Sequence, residues 1–252
     1  MAETVYSETS DSYVTHTEIG TDPADVVGDA TTAGSFHSNT AILYNWGVRN
    51  RTFAVRGGGG NSSFRCHRSF FAFDLSSLSG TATDADFYFY SDNLGTNATN
   101  ESTIYVVQAT ALAGSTADFG NVFSSGTTLG TTLAEGQVST TLQYHTITGN
   151  SNLLTAINSV IGSGTLTVGV MGYYDYRIAA GIAAASTWPA IGGNFVKIQM
   201  YYADSGGTSK DPYLYITLAS GYTHKVLGVA AGDIGKVKGV ATADIDKVIG
   251  VD

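Results

Sequence analysis

The sequence predicts an all-β protein: a β-sandwich with one short helix, followed by a short C-terminal segment built on an 11-residue repeat. Glycine is frequent, at 31 of 252 residues, whereas proline occurs only 3 times. Aromatic residues make up 11% of the chain and alternate with polar residues in short runs. Such runs are typical of half-buried strands, and frequent glycine is typical of the tight turns that join them.

The first predicted strands are short and carry little charge. Residues 4–16 are predicted to form an edge strand with breaks, and residues 40–48 and 52–56 form two further strands. The clearest core strand lies within residues 66–78, where two phenylalanines alternate on one face. It ends in Asp-Leu-Ser-Ser, a sequence that favours a turn.

The rest of the body is predicted as further strands around a single helix. These strands are predicted at residues 85–90, 102–110, 166–176, 194–204 and 212–218. Leucine, isoleucine and valine recur at helical spacing within residues 150–164. Asn150 or Ser151 can cap this helix, and Gly162 can end it. Residues 177–193 are rich in Ala and Gly and are expected to form a surface loop.

The chain closes on a repeat that begins at Lys225, Lys236 and Lys247 and reads KVLGVAAGDIG, KVKGVATADID and KVIGVD. Repeats of this size cannot bury their own apolar face, because repeat units need neighbours to build a core. We therefore divide the chain into a body, residues 1–220, and a repeat tail, residues 221–252. The tail is predicted to serve oligomerisation or docking.

The spacing within the tail argues against one continuous helix. A right-handed helical supercoil needs apolar steps of about 3, 4 and 4 residues, but the steps from Ile234 are 3, 3 and 5. A glycine inside each unit would also cost a helix about 1 kcal/mol. We expect a short strand, Lys-Val-x-Gly-Val, to alternate with a tight helical or turn element. The apolar residues predicted to form the assembly interface are Val226, Val229, Ile234, Val237, Val240, Ile245, Val248 and Val251.

Charge excludes one class of partner. The net charge is -9, and the tail from Tyr222 holds four Lys and four Asp, so the body carries the whole negative charge. This argues against nucleic-acid binding, which needs clustered Lys and Arg. Cys66 is the only cysteine, so no intrachain disulfide is expected. The N-terminus shows no secretory signal, and no apolar run approaches the ~18 residues of a membrane span, so membrane insertion is not expected.

Residues with catalytic chemistry show no recognisable spacing. The five histidines are scattered and form no metalloprotease motif; they are His16, His37, His67, His145 and His224. The sequence also contains no Gly-x-Ser-x-Gly motif of a nucleophile elbow. We therefore predict no enzymatic activity, no catalytic residue, no metal site and no cofactor. Calcium is the one exception considered, because Asp84, Asp86 and Asp92 lie around one strand and oxygen-rich loops suit this ion. Solvated carboxylates at a strand end are the simpler interpretation.

Clustered tyrosines are the sequence feature that best suits ligand binding at a surface. Tyr173, Tyr174, Asp175 and Tyr176 are candidate glycan-binding residues, since a tyrosine beside a carboxylate offers both stacking and hydrogen bonding to a sugar. Further tyrosines at 201–202, 213 and 215 are expected at the same end of the molecule. The alternative is that these tyrosines face a sandwich surface or a subunit interface.

Three segments of the body resemble one family of modules. They are Arg68–Leu78 (RSFFAFDLSSL), Ala85–Tyr90 (ADFYFY) and Asp211–Ile216 (DPYLYI). In this order they resemble the DNRLRE-type modules, which are carbohydrate-binding-module-like domains of bacterial, archaeal and viral surface proteins. The resemblance covers roughly residues 4–218 and implies a jelly-roll β-sandwich. The family's Arg-Glu before the last strand is replaced here by Tyr202–Ser205.

The tail resembles the K-V-x-G-V-A repeats that end some tailed-bacteriophage virion proteins. This resemblance covers residues 224–252 and implies a particle protein, such as a capsid decoration, neck, fibre or tail component. We therefore predict a non-enzymatic structural protein located in the virion. Its expected partners are other virion proteins and copies of itself in a homo-oligomer. The alternative is a carbohydrate-binding adhesin that recognises host-surface glycans.

Overall fold

A computed structural model describes residues 1–19, 35–38, 43–46, 49–55, 59–96, 104–110, 114–117, 127–133, 137, 139, 141–182, 196–201, 203, 208–219, 236–237 and 240–241. Within these residues the chain is mainly extended. The strands are β1 Ala2–Tyr6, β2 Ser12–Ile19, β3 Ser35–Ser38, β4 Leu43–Trp46, β5 Arg49–Val55, β6 Gly59–Asp74, β7 Ala82–Thr96, β8 Ile104–Gln108, β9 Gln143–Thr148, β10 Thr165–Gly172, β11 Val196–Met200, β12 Tyr213–Leu218, β13 Lys236–Val237 and β14 Val240–Ala241. The helices are α1 Ser151–Val160 and α2 Tyr173–Ala179.

The body strands form two antiparallel sheets. The first sheet has the order β1-β12-β7-β11-β4, and β9 pairs with the opposite edge of β7. The second sheet has the order β3-β2-β6-β10-β8, and β5 pairs with β6 beside β10. The long strands β6 and β7 are therefore the centres of the two sheets.

Phenylalanines from these two central strands join the sheets face to face. Phe71 and Phe73 of β6 meet Phe87 of β7 at ring-centroid distances of 5.5 and 6.0 Å. All three rings are at most 1% exposed and belong to one continuous apolar core. This packing confirms the predicted all-β sandwich and the predicted core strand.

The predicted helix is confirmed as α1. The side-chain oxygen of Asn150 accepts the backbone N–H groups of Asn152 and Leu153 at 2.9 and 3.2 Å, which is an N-cap. Leu153 and Ile157 bury one face of the helix in the core. Gly162 follows the helix with a φ of 75°, a left-handed conformation that glycine adopts without strain.

The predicted edge strand at 4–16 is two strands in different sheets, because the chain crosses between the sheets at Asp11. This carboxylate is 1% exposed. It accepts hydrogen bonds from the Ser7 hydroxyl at 2.8 Å and from the backbone N–H groups of Ala72 and Ala203 at 3.2 Å. Asp11 thereby links the crossover to β6 and to the segment after β11.

The predicted strand at 166–176 is wrong in its last residues, and the prediction of a single helix is wrong with it. The strand ends at Gly172, and α2 follows directly. Asp175 lies in the first turn of α2 and Arg177 in the last, where each charge complements the helix dipole. Asp175 also accepts two hydrogen bonds from Arg68, at 2.8 Å from Nε and 2.6 Å from Nη2. A helix brings this carboxylate onto the outer face of the second sheet.

In the tail, β13 and β14 pair antiparallel, with Val237 opposite Val240 and Lys236 opposite Ala241. In the second repeat the structure therefore has two short paired strands, where a single strand over Lys-Val-x-Gly-Val was expected. The other six predicted interface residues lie outside the described residues, as does the boundary at 220–221. They are Val226, Val229, Ile234, Ile245, Val248 and Val251.

Removing one partner of the buried ion pair should destabilise the body. Arg68 and Asp175 are 2% and 0% exposed, so Asp175→Ala leaves a guanidinium without its carboxylate. We expect a loss of about 3–5 kcal/mol in the free energy of unfolding, measured by urea denaturation. Asp84→Ala, at an exposed carboxylate, is the control and should change stability by less than about 0.5 kcal/mol. Equal stability of Asp175→Ala and the parent would contradict this account.

Candidate functional site

The outer face of the first sheet carries a continuous group of tyrosines. Because side chains alternate along a strand, Phe87 and Phe89 of β7 point into the core, and Tyr88 and Tyr90 point outward. Strand pairing places outward tyrosines of other strands beside them. We name this group the tyrosine surface; its members are Tyr6, Tyr88, Tyr90, Tyr144, Tyr201, Tyr213 and Tyr215.

Most rings of the tyrosine surface pack on one another. The Tyr88 and Tyr213 rings are stacked, with centroids 4.5 Å apart and an interplanar angle of 10°. Tyr213 also contacts Tyr6 at 5.7 Å and Tyr144 at 5.3 Å. Tyr90 contacts Tyr144 at 5.1 Å, edge to face. Each of these rings therefore has part of its surface covered by a neighbouring ring.

One end of the tyrosine surface is closed by the chain itself. The Tyr144 hydroxyl donates a hydrogen bond to the carbonyl oxygen of Asp211 at 3.1 Å. The Lys210 ammonium lies 4.8 Å from the centre of the Tyr201 ring and 5.9 Å from that of Tyr90. Each cation–π contact of this kind contributes about 0.5–1 kcal/mol at an exposed site. The segment before β12 is therefore held over these rings.

The other end is open. Tyr6 and Tyr215 are 40% and 43% exposed, the most exposed members of the tyrosine surface. Tyr215 of β12 lies opposite Thr4 of β1 on one side and opposite Asp86 of β7 on the other. An aromatic ring, a hydroxyl and a carboxylate thus share one patch of the sheet.

Asp86 is held in place by the turn before α1. Its Oδ1 accepts the backbone N–H of Gly149 at 3.1 Å. Position 149 requires glycine, because a Cβ there would clash with the carbonyl oxygen of Ala85 and the Leu153 side chain. The sequence therefore gives this carboxylate a fixed orientation on the sheet.

Burial raises the pKa of two inner tyrosines of this surface. It raises the pKa of Tyr144 from its ordinary 10.0 to about 12, and the neighbouring Tyr213 adds to the effect. Burial also raises the pKa of Tyr213, with smaller effects from Tyr88 and Tyr6. The hydroxyl groups of Tyr144 and Tyr213 therefore keep their protons further into the alkaline range than an ordinary tyrosine does.

The candidate glycan residues at 173–176 lie on the opposite sheet, where α2 packs against β8 and β10. Asp175 is 0% exposed and pairs with Arg68. Tyr176 is 8% exposed and stacks on Tyr105 with centroids 4.1 Å apart. The expected exposure of Asp175 and Tyr176 is therefore wrong, because both side chains attach α2 to the sheet. The side chains of Tyr173 and Tyr174 lie outside the described residues, and their role stays a prediction.

Other described polar groups do not assemble a second site. His145 is a core residue whose Nε2 lies 3.3 Å from the carbonyl oxygen of Ser91, and burial lowers its pKa. A cavity of about 260 Å³ on the second sheet has Glu8 as its only ionisable lining residue. No three His, Cys, Asp or Glu of the described residues are grouped as metal ligands. The side chain of Asp92 lies outside that description, so calcium stays a prediction.

Within the described ranges, no helix is long and apolar enough to cross a bilayer.

Tyr144 should make the protein less stable at alkaline pH. The pKa of Tyr144 is about 12 in the folded protein and 10.0 in the unfolded chain, so the unfolded chain loses this proton at a lower pH. Stability is therefore complete below pH 10 and falls as the pH rises from 10 to 12. Urea unfolding across this range should show a smaller loss for Tyr144→Phe than for the parent. Tyr215→Phe, at an exposed ring, is the matched control; an equal alkaline loss in Tyr144→Phe and the parent would rule this out.

Comparison with known proteins leaves the family open. A scan against models of protein families finds no match, and no curated protein matches the sequence. The resemblances of the body and the tail therefore depend on their sequence motifs alone.

Proposed function

We propose that the protein is a non-enzymatic structural protein of a bacteriophage particle. It is a capsid decoration, neck, fibre or tail component, and it assembles with copies of itself and with other virion proteins through the repeat tail. The structural observation that carries the assembly role of the tail is the antiparallel pairing of β13 with β14 inside one repeat. The resemblance of the tail to phage virion repeats supports its location.

The hairpin of the tail needs a partner. Its strands are two residues long, and an isolated two-stranded hairpin is at best marginally stable in water. Among the strands that the structure describes, none pairs with the outer edge of β13 or β14, and a strand edge with unpaired N–H and C=O groups favours addition of another chain. The same Lys-Val-x-Gly-Val pattern stands at 225–229 and 247–251. Copies of the tail that pack together supply the missing neighbours, with the repeated valines as the contacts.

The core that the structure describes belongs to the body. The described core residues all lie between Phe71 and Leu218, with Val5 of β1 packed against them. Each sheet contributes its inner face to this core. The body is thus suited to display on a particle while the tail attaches it.

Deletion of residues 222–252 should abolish assembly and leave the body folded. We expect the truncated protein to unfold cooperatively near the parent's melting temperature but to have a smaller mass by light scattering. It should also be missing from particles purified from cells that supply it in place of the full chain. In the full chain, Val237→Asp with Val240→Asp should have the same effect.

Lys238 provides the matched control, because this position is Leu, Lys or Ile in the three repeats. Lys238→Thr should assemble like the parent. Normal incorporation of the truncated protein would refute the proposal, as would an unchanged mass.

A further inference from the structure

We propose that the open end of the tyrosine surface, around Tyr215 and Asp86, binds a neutral glycan. This binding function is separate from assembly through the tail. It is built on the opposite sheet from the residues at 173–176 that the sequence suggested.

Tyr215 provides the stacking platform. It points outward from β12 and is 43% exposed. The described ring contacts of the tyrosine surface join its neighbours to one another, and none of them involves Tyr215. Its ring is therefore free to stack against the apolar C–H face of a sugar, while its hydroxyl remains a hydrogen-bonding group.

Asp86 provides the acceptor. Oδ1 is oriented by the Gly149 N–H, and the described residues place no ion-pair partner at this carboxylate. As a cross-strand neighbour of Tyr215, its Cβ lies about 4.5–5.5 Å from that of the tyrosine. A sugar stacked on the ring thus places hydroxyl groups within reach of the carboxylate. Hydrogen bonds to an ionised acceptor are roughly twice as strong as neutral ones.

A second ring and several hydroxyls extend the site. Tyr6 lies opposite Tyr213, two residues along from the pair of Thr4 with Tyr215, so Tyr6 and Tyr215 are diagonal neighbours on one face. Such diagonal neighbours are about 7–8 Å apart, within reach of a further sugar unit. Thr148 lies opposite Asp86 on the other side of β7 and is exposed, so its hydroxyl is available on the same face.

Charge and area favour a neutral glycan over the other ligands. Asp84 and Asp86 give this face a negative charge, which repels acidic sugars. The Lys210 ammonium lies at the closed end of the tyrosine surface, where it contacts the Tyr201 ring. A stable protein interface buries about 800 Å² on each partner, but most rings here already pack on one another, and only Tyr6 and Tyr215 are substantially exposed. One sugar chain needs no more than these two rings.

Isothermal titration of the full-length protein tests the site. The probes are cellohexaose, laminarihexaose, mannohexaose and chitohexaose, with an oligogalacturonate as the acidic comparison and a lysine-rich peptide as the basic one. We expect at least one neutral hexasaccharide to bind. Tyr215→Thr and Asp86→Asn should each weaken that binding by about tenfold or more, which corresponds to one stacked ring or one charged hydrogen bond. Ile182→Ala, at an exposed apolar residue near α2, should bind like the parent.

Tyr215→Phe keeps the ring and should retain most of the affinity, so it separates stacking from any general loss of structure. All variants should assemble like the parent, which distinguishes failure of this site from failure of the proposed tail function. The proposal is overturned if no neutral hexasaccharide binds, if Tyr215→Thr and Asp86→Asn bind like the parent, or if only the acidic oligosaccharide or the peptide binds.

Discussion

The contact of Phe71 and Phe73 with Phe87 is the interaction on which the rest of the structure depends. It joins the central strands of both sheets, and its rings are almost fully buried. Side chains alternate along a strand, so burial of the phenylalanines of β7 directs its tyrosines to the opposite face. The same rule applies to β12, where Leu214 enters the core and Tyr215 faces outward. The tyrosine surface is therefore a direct consequence of the hydrophobic core.

Buried polar groups determine where the chain leaves its sheets. Asp11 holds the crossover from β1 to β2, and the pair of Arg68 with Asp175 holds α2 on the second sheet. A buried charge is costly unless hydrogen bonds compensate it, so such groups tolerate few alternative arrangements. The hydrogen bonds of Asp11 and the ion pair of Arg68 with Asp175 both join residues that are far apart in sequence. Each of them brings together two elements that no local pattern connects.

Much of the fold could be predicted, but the candidate site could be predicted only in part. Alternation of Phe and Tyr within residues 85–90 indicated a strand with one buried face, and Asn150 indicated the start of α1; both are confirmed. The tyrosines at 173–176 were expected to continue a strand, yet they begin a helix, because the ion pair of Asp175 with Arg68 and the stack of Tyr176 on Tyr105 outweigh local strand preference. The sequence predicts Tyr201, Tyr213 and Tyr215 at the same end as the tyrosines at 173–176, whereas strand pairing places them on the other sheet.

By itself, the sequence determined the fold class, the alternation that separates core from surface, the helix cap, the acidic body and the repeat of the tail. These properties are local, since they depend on neighbouring residues and on the period of a strand or helix. Only the tertiary structure decided which tyrosines meet. Strand order and register place Tyr6, Tyr88 and Tyr213 side by side although they are distant in the chain. Register is set by the burial of the opposite face and by Asp11 and Gly149, and these are long-range constraints that no spacing within a single strand reveals.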